Sequence, residues 1–416
     1  MGPNIDWLSA ARLEWLRIVA FVSGCAFLFW QYDGAPVDWL FALGIAVSGV
    51  LAFRGRRAFD LGWPNLLAVA FVTVTVLATV LAQGSAKALG ITMYLAVGAL
   101  ALSAVVRRDP RARSLLLLAL VFAGVIAAAT VGLGWAARHL GWEQYYFLTY
   151  DGLRARGLFK DPNVAGGFLA CSYPLAAAFA LRRGRLALPV LLTLTAVFGA
   201  GVVLTFSRMA LLVFGLGFLG VIVALVMTRR RTILISFLGV MFVAAAIGGA
   251  VALQRMNLDD LPLWRYQIQA YDDQGRFVVW GFAAEMFRDA PLGTGAGSFE
   301  PRAVGYFHGV EDQSAGPDLT VTPSAHNTYL RVLVESGIFG TLAFFSYLAA
   351  LLWRGVRTMT ATSWEWPLAF ALVLIAGLAI DTLHWRELWV LAAVLGPSML
   401  ATVRANTPQP ATEPRR

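Results

Sequence analysis

The sequence predicts an all-α polytopic membrane protein of about twelve transmembrane helices, with one long outer loop carrying short helices. Three observations predict it. Of 416 residues, 59% are hydrophobic and only 14% charged, where a soluble domain is nearer half apolar and a quarter charged. The apolar residues fall in runs of about 20, the helical length that crosses about 30 Å of hydrocarbon. Arginine collects in alternate connections between the runs, as it does in short cytoplasmic loops.

In chain order the expected spans are 12–31, 37–53, 63–83, 88–106, 114–135, 163–181, 186–205, 209–228, 232–253, 326–353, 366–381 and 388–403. The connections with Arg54, Arg56 and Arg57, with Arg107, Arg108, Arg111 and Arg113, with Arg182, Arg183 and Arg185, with Arg229 to Arg231, and with Arg354 and Arg357 are assigned to the cytoplasm. Both termini fall on that side. The chain thus divides into spans one to nine (1–253), an outer loop (254–325), spans ten to twelve (326–403) and a disordered cytoplasmic tail (404–416). Topology accounts for the net charge of +9, and no folded basic module or aromatic-basic pattern points to nucleic acid. Cys25 and Cys171 lie in apolar runs and read as small core residues. Val22-Ser23-Gly24-Cys25 looks like a lipoprotein cleavage box, but the apolar run before it is short and holds Arg17, so 12–31 reads as an uncleaved span.

Cations on the outer side break the charge rule. They are Arg154, Arg156 and Lys160 before Asp161-Pro162-Asn163, Arg208 in Thr205-Phe206-Ser207-Arg208, and Arg276 in Gly275-Arg276-Phe277. Snorkelling is the bland reading, with the stem in lipid and the head in water. The sharper one is phosphate recognition, since a guanidinium grips phosphate through two parallel hydrogen bonds. Arg208 favours the second, because its turn has almost no other polar residue.

His326 is the candidate catalytic base. Ser324 is expected to cap the helix that follows, placing the imidazole in a first turn whose dipole favours the neutral form, and a neutral imidazole is a competent general base. The bland reading is a solvated outer-loop histidine. Arg331 and Glu335, spaced i, i+4, read as a structural pair. His384, near Arg386 and Glu387 in the last outer turn, is a second histidine for the same cavity. Gly293, Gly295 and Gly297 lack the strand-turn-helix setting of a nucleotide loop and read as a close turn between short helices. The acidic pairs Asp259-Asp260, Asp272-Asp273 and Glu311-Asp312 lack Asp-x-Asp spacing, so chemistry without metal or cofactor is expected.

Five motifs follow one another: Arg156-Gly157-Leu158-Phe159-Lys160-Asp161-Pro162-Asn163, Thr205-Phe206-Ser207-Arg208-Met209-Ala210-Leu211-Leu212, Gly275 to Trp280, Pro291 to Phe299, and His326-Asn327-Thr328-Tyr329-Leu330 with Glu335-Ser336-Gly337. In this order they resemble the O-antigen ligase and O-antigen polymerase superfamily, over roughly residues 150 to 350. The resemblance implies a glycosyltransferase of the Gram-negative inner membrane that takes a glycan from undecaprenyl diphosphate on the periplasmic side. It assigns Arg156, Arg208 and Arg276 to the diphosphate and His326 to activation of the acceptor hydroxyl. Arg154, Asn163, His384 and Arg386 are further candidates, and surrounding membrane lipids are the other partners. The acceptor is lipid A–core for a ligase, ranked first, or a second lipid-linked repeat for a polymerase. A protein-directed transferase ranks third, because that branch carries more sequence beyond the histidine helix. A transporter of lipid-linked sugars expects ionisable sites near mid-bilayer and a repeat between halves, and neither is found in the sequence.

Overall fold

The computed structural model describes residues 9–30, 35–150, 154–255, 279–306 and 324–396, with 245 and 247–255 as backbone only. Arg276 and the tail 404–416 lie outside the described residues. Fourteen α-helices occur among the described residues: α1 (Ala10–Ala26), α2 (Pro36–Phe53), α3 (Trp63–Leu81), α4 (Ala86–Arg108), α5 (Pro110–Leu140), α6 (Pro162–Leu181), α7 (Ala187–Leu204), α8 (Arg208–Met227), α9 (Arg231–Arg255), α10 (279–289), α11 (Phe299–Tyr306), α12 (Thr328–Arg357), α13 (Glu365–Ala376) and α14 (Arg386–Leu395). Eight of them, α2 to α8 and α12, are long and apolar enough to cross a membrane, and α9 and α13 contribute shorter apolar helices. Each of the twelve expected spans meets a helix. The eleventh was read too long: α13 ends at Ala376, and 377–385 is a non-helical connection that an apolar count cannot tell from helix.

Helix α6 is the spine. All of its residues except Asn163 and Phe179 are buried, and the small side chains of Ala165, Gly166, Gly167 and Ala170 let α8 and the α13–α14 turn approach closely. A methyl group on Gly167 would meet Trp385 at 2.5 Å. Cys25 and Cys171 are buried and free, as their apolar surroundings require.

Contacts between turns define two ends of the bundle. At the basic end Arg107 pairs with Asp60 (3.1 Å), Arg182 with Glu365 (2.5 Å) and Arg108 with Glu14. The opposite end gathers the α3–α4 turn, segments 141–150 and 154–161, the α7–α8 turn, the 290–298 loop and the α13–α14 turn. There Arg386 grips Asp38 through two bonds of 2.9 and 2.7 Å.

Candidate functional site

The motif residues are mostly helix starts, and the starts meet at this second end. Asp161 caps α6, accepting from Asn163 N (2.6 Å) and Val164 N (3.3 Å), with Pro162 as the first helical residue. That is why Asp-Pro-Asn stands where it does: the carboxylate satisfies free N–H groups, and proline lacks one. Ser207 caps α8 through Ala210 N (3.4 Å), which makes Arg208 the first residue of that helix. A cation there opposes the helix dipole, so local helix stability does not explain it.

Arg154 joins these two starts. Its Nη2 donates to Asn163 Oδ1 (2.8 Å) and its Nε to Thr205 O (3.0 Å). Arg156 is fixed differently: Nε and Nη2 donate to Phe147 O (3.1 and 3.0 Å) and Nη1 to Lys160 O (3.3 Å). All its acceptors are neutral carbonyls, so the guanidinium is held in place with its charge intact.

The histidine segment is anchored on both sides. Trp280 Nε1 donates to Ala325 O (3.0 Å). Asn327 caps α12 by accepting from Tyr329 N (3.0 Å) and Leu330 N (3.1 Å), and its Nδ2 reaches Leu378 O (3.0 Å). Thr328 docks on the α13–α14 turn through Gly377 O and the Thr382 hydroxyl, both 2.9 Å away. Tyr329 closes the set with a 2.6 Å bond to Leu374 O. The expected cap at Ser324 is thus corrected to Asn327. His326 lies just before the cap, outside the first turn, because Asn327 reaches the free N–H groups of the helix that starts at Thr328. Its φ is +42°, a left-handed conformation uncommon for a residue with a Cβ.

Arg331 and Glu335 do form the expected pair (3.5 Å), inside a larger cluster. Arg331 also meets Asp381 (2.9 Å) and Glu300. Glu335 accepts from Phe299 N (3.4 Å), tying α11 to α12. Neither Glu300 nor Asp381 was foreseen. Asp381 closes an apolar run in the sequence and so reads as the end of a span.

His384 neighbours this cluster. Its Nε2 lies 3.2 Å from Thr92 Oγ1, whose hydroxyl is also 3.2 Å from Ala88 O. Burial holds its pKa below the usual histidine value; Asp381 opposes that shift, and the cations Arg331 and Lys160 reinforce it. Arg386 is held by Asp38, so of the residues named from sequence it has the plainest structural partner.

The glycine loop packs into a break in α12. At Gly337 (φ +65°, ψ −170°) the helix is interrupted. The freed groups find partners in the loop: Thr294 N reaches Val334 O (2.9 Å), Gly295 N reaches Glu335 O (2.9 Å), and Ile338 N reaches Pro291 O (3.0 Å). Irregular backbone at membrane depth needs such partners. The reading of Gly293 to Gly297 as a close turn holds, and its partners are α12 and the α3–α4 turn, where Ser85 N donates to Ala296 O (2.8 Å).

This is a polytopic all-α membrane protein with a built polar site at one end of its helices. Residues 191–345 match the family model described as O-antigen ligase, which supports the resemblance to the O-antigen ligase and polymerase superfamily. The matched stretch contains Arg208, the glycine loop and His326, while 154–163 and the α13–α14 turn lie outside it. The match supports an enzyme of ligase or polymerase type acting on lipid-linked glycans. None of the curated proteins compared with the chain matches it.

Proposed function

We propose that this protein moves a glycan from undecaprenyl diphosphate to a sugar hydroxyl of lipid A–core, on the periplasmic face of a Gram-negative inner membrane. The observation that carries the reading is the set of contacts from Arg154 through Asn163 to the starts of α6 and α8, at the same end of the bundle as the α13–α14 turn that anchors the His326 segment. Cations and a candidate base thus occupy one end of one bundle. The basic end, by the arginine rule, faces the cytoplasm.

In this reading His326 takes the proton of the acceptor hydroxyl as its oxygen attacks the anomeric carbon. The bond from that carbon to the diphosphate breaks with inversion, and undecaprenyl diphosphate leaves with the electron pair. Arg156, Arg208 and Arg276 stabilise the charge that grows on it, with Arg154 and Asn163 setting the geometry of the segment.

The test uses purified protein in liposomes, with undecaprenyl-diphosphate-linked glycan as donor and lipid A–core or a second lipid-linked repeat as acceptor. Product on lipid A–core is expected, reduced at least about a hundredfold by His326→Ala. His326→Gly should lose transfer equally while keeping or raising the melting temperature, since glycine accepts a positive φ. Undiminished transfer by a folded His326→Ala enzyme would remove the histidine from the mechanism. Longer chains on the undecaprenyl carrier, with none on lipid A–core, would make the protein a polymerase.

A further inference from the structure

At the basic end, remote from the proposed transfer site, the α2–α3 connection and the end of α4 enclose a cleft of about 710 Å³. Arg56, Arg57, Arg107 and Arg108 line it, over a floor that includes Phe59 and Ala104. A fifth arginine, Arg17, is wholly buried behind the cleft and donates to Ala58 O (3.0 Å).

Both carboxylates of this region are already engaged. Glu14 takes Arg17 and Arg108. Asp60 accepts from Gly62 N (3.0 Å), Ser103 Oγ (3.0 Å) and Arg107 Nη1 (3.1 Å). Arg56 and Arg57 are exposed and make no ion pair among the described residues. Against Glu14 and Asp60, the carboxylates that pair with them, the five arginines carry an excess of three positive charges at a concave site.

The connection is also fixed in shape. Asn65 Nδ2 donates to Asp60 O (3.0 Å) and to Ser103 Oγ (3.2 Å), and Asp60 N donates to Leu100 O (3.0 Å). Topology alone asks only for arginine on this side of the membrane; it asks for neither a cleft nor a braced loop. The 182–185 turn satisfies the same rule by local means: Arg182 pairs with Glu365, and Arg183 stacks 3.9 Å over Phe179.

We propose that the cleft binds a phosphate group, with the guanidiniums of Arg56 and Arg57 as its forks. The mouth favours a phosphate carried by an anionic lipid over free phosphate. It is flanked by Phe53, Leu61 and Trp63, which are 96%, 58% and 58% exposed, and a tryptophan with such apolar neighbours suits the headgroup level of a bilayer. The lipid's glycerol and upper chains then lie along the apolar floor. Basic pockets between transmembrane helices recognise anionic headgroups by this chemistry.

The full chain, purified in neutral detergent, is titrated with phosphatidylglycerol, with phosphatidylcholine and with sodium phosphate, and bound ligand is counted by native mass spectrometry. Phosphatidylglycerol should bind in preference to phosphatidylcholine, and more weakly as salt rises. The double variant R56Q/R57Q should weaken that binding about thirtyfold, while R183Q/R185Q, which removes as much charge from another turn of the same end, should change it less than about twofold. Matching melting temperatures exclude misfolding, because both side chains of the test pair are exposed. If sodium phosphate binds as tightly and R56Q/R57Q abolishes it, the site is for phosphate as such. Equal phosphatidylglycerol binding by the wild type and R56Q/R57Q, or equal losses in both double variants, would overturn the proposal.

Discussion

Gly337→Ala tests whether the break in α12 supports the site. A Cβ at position 337 would stand 2.3 Å from Leu292 C, 2.5 Å from Leu292 O and 2.6 Å from Gly293 N. All three are backbone atoms, so no rotamer change relieves the clash. The residue's φ of +65° with ψ of −170° also lies in a region open essentially only to glycine, at a cost of roughly 1–3 kcal/mol for other residues. Overpacking adds about 1–3 kcal/mol. If the loop instead moves away, the three loop-to-helix bonds are lost at roughly 1 kcal/mol each. The strain and packing terms sum to a destabilisation of about 2–6 kcal/mol, and loss of the three bonds together with the strain falls in the same range.

The consequence reaches the site through Glu335. Moving 291–295 shifts α11, whose Phe299 N bonds Glu335 and whose Glu300 pairs with Arg331. Thermal unfolding in detergent is the assay, with Gly90→Ala as control, since a Cβ there meets nothing within 4 Å. Gly90→Ala should be neutral or slightly stabilising, and Gly337→Ala should melt several degrees lower and lose most glycan transfer. A Gly337→Ala protein that melts with the wild type would refute the account of the loop as the partner of the broken helix.

Arg208→Ala should raise the donor KM far more than Arg54→Ala in the liposome transfer assay; equal effects would reduce Arg208 to a topology signal. Arg156→Lys keeps the charge but not the fork that spans Phe147 O and Lys160 O, so donor KM should rise about tenfold, and an unchanged KM would show that charge alone suffices. His384 has a lowered pKa in the fold, so below the ordinary value of about 6.5 the unfolded chain binds more protons than the folded one. Its contribution to stability is complete above about 6.5 and lost as pH falls through the folded value; His384→Gln should flatten that acid-side loss in melting curves between about pH 7 and 5, and an unaltered profile would exclude the histidine as its source.

The fold was legible because membrane length and arginine placement are one-dimensional signals. Each expected span meets a helix, and the arginine-bearing turns do share an end. The errors fall where packing decides. Residues 377–381 are apolar up to Asp381 and so look like helix, yet Thr328 and Asn327 claim their carbonyls. Ser324 and Asn327 are both good caps on paper, and the docking of Asn327 and Thr328 on the α13–α14 turn places the helix start at Thr328, where Asn327 caps it. The outer cations were visible because they violate a charge rule, and His326 because it stands beside an expected helix start. Glu300 and Asp381 were not, because a carboxylate earns notice only from the arginine it faces, and Arg331 is distant from Glu300 in sequence.

Charge compensation separates the cations of this end. Arg331 faces Glu300, Glu335 and Asp381, and Arg386 is clasped by Asp38. Neither has much positive potential left to offer an anionic substrate, and removing either would strand buried or half-buried carboxylates. Arg156 spends three donors on carbonyl oxygens, which orient it without neutralising it. On the proposed reading, a diphosphate approaching this end meets fixed framework pairs and a separate, oriented cation. Such preorganisation is what charge stabilisation of a leaving group requires, because a guanidinium already in place costs no rearrangement when the negative charge appears. Three of the motifs bring a helix start to this end, where the caps Asp161, Ser207 and Asn327 hold the chain beside Lys160, Arg208 and His326.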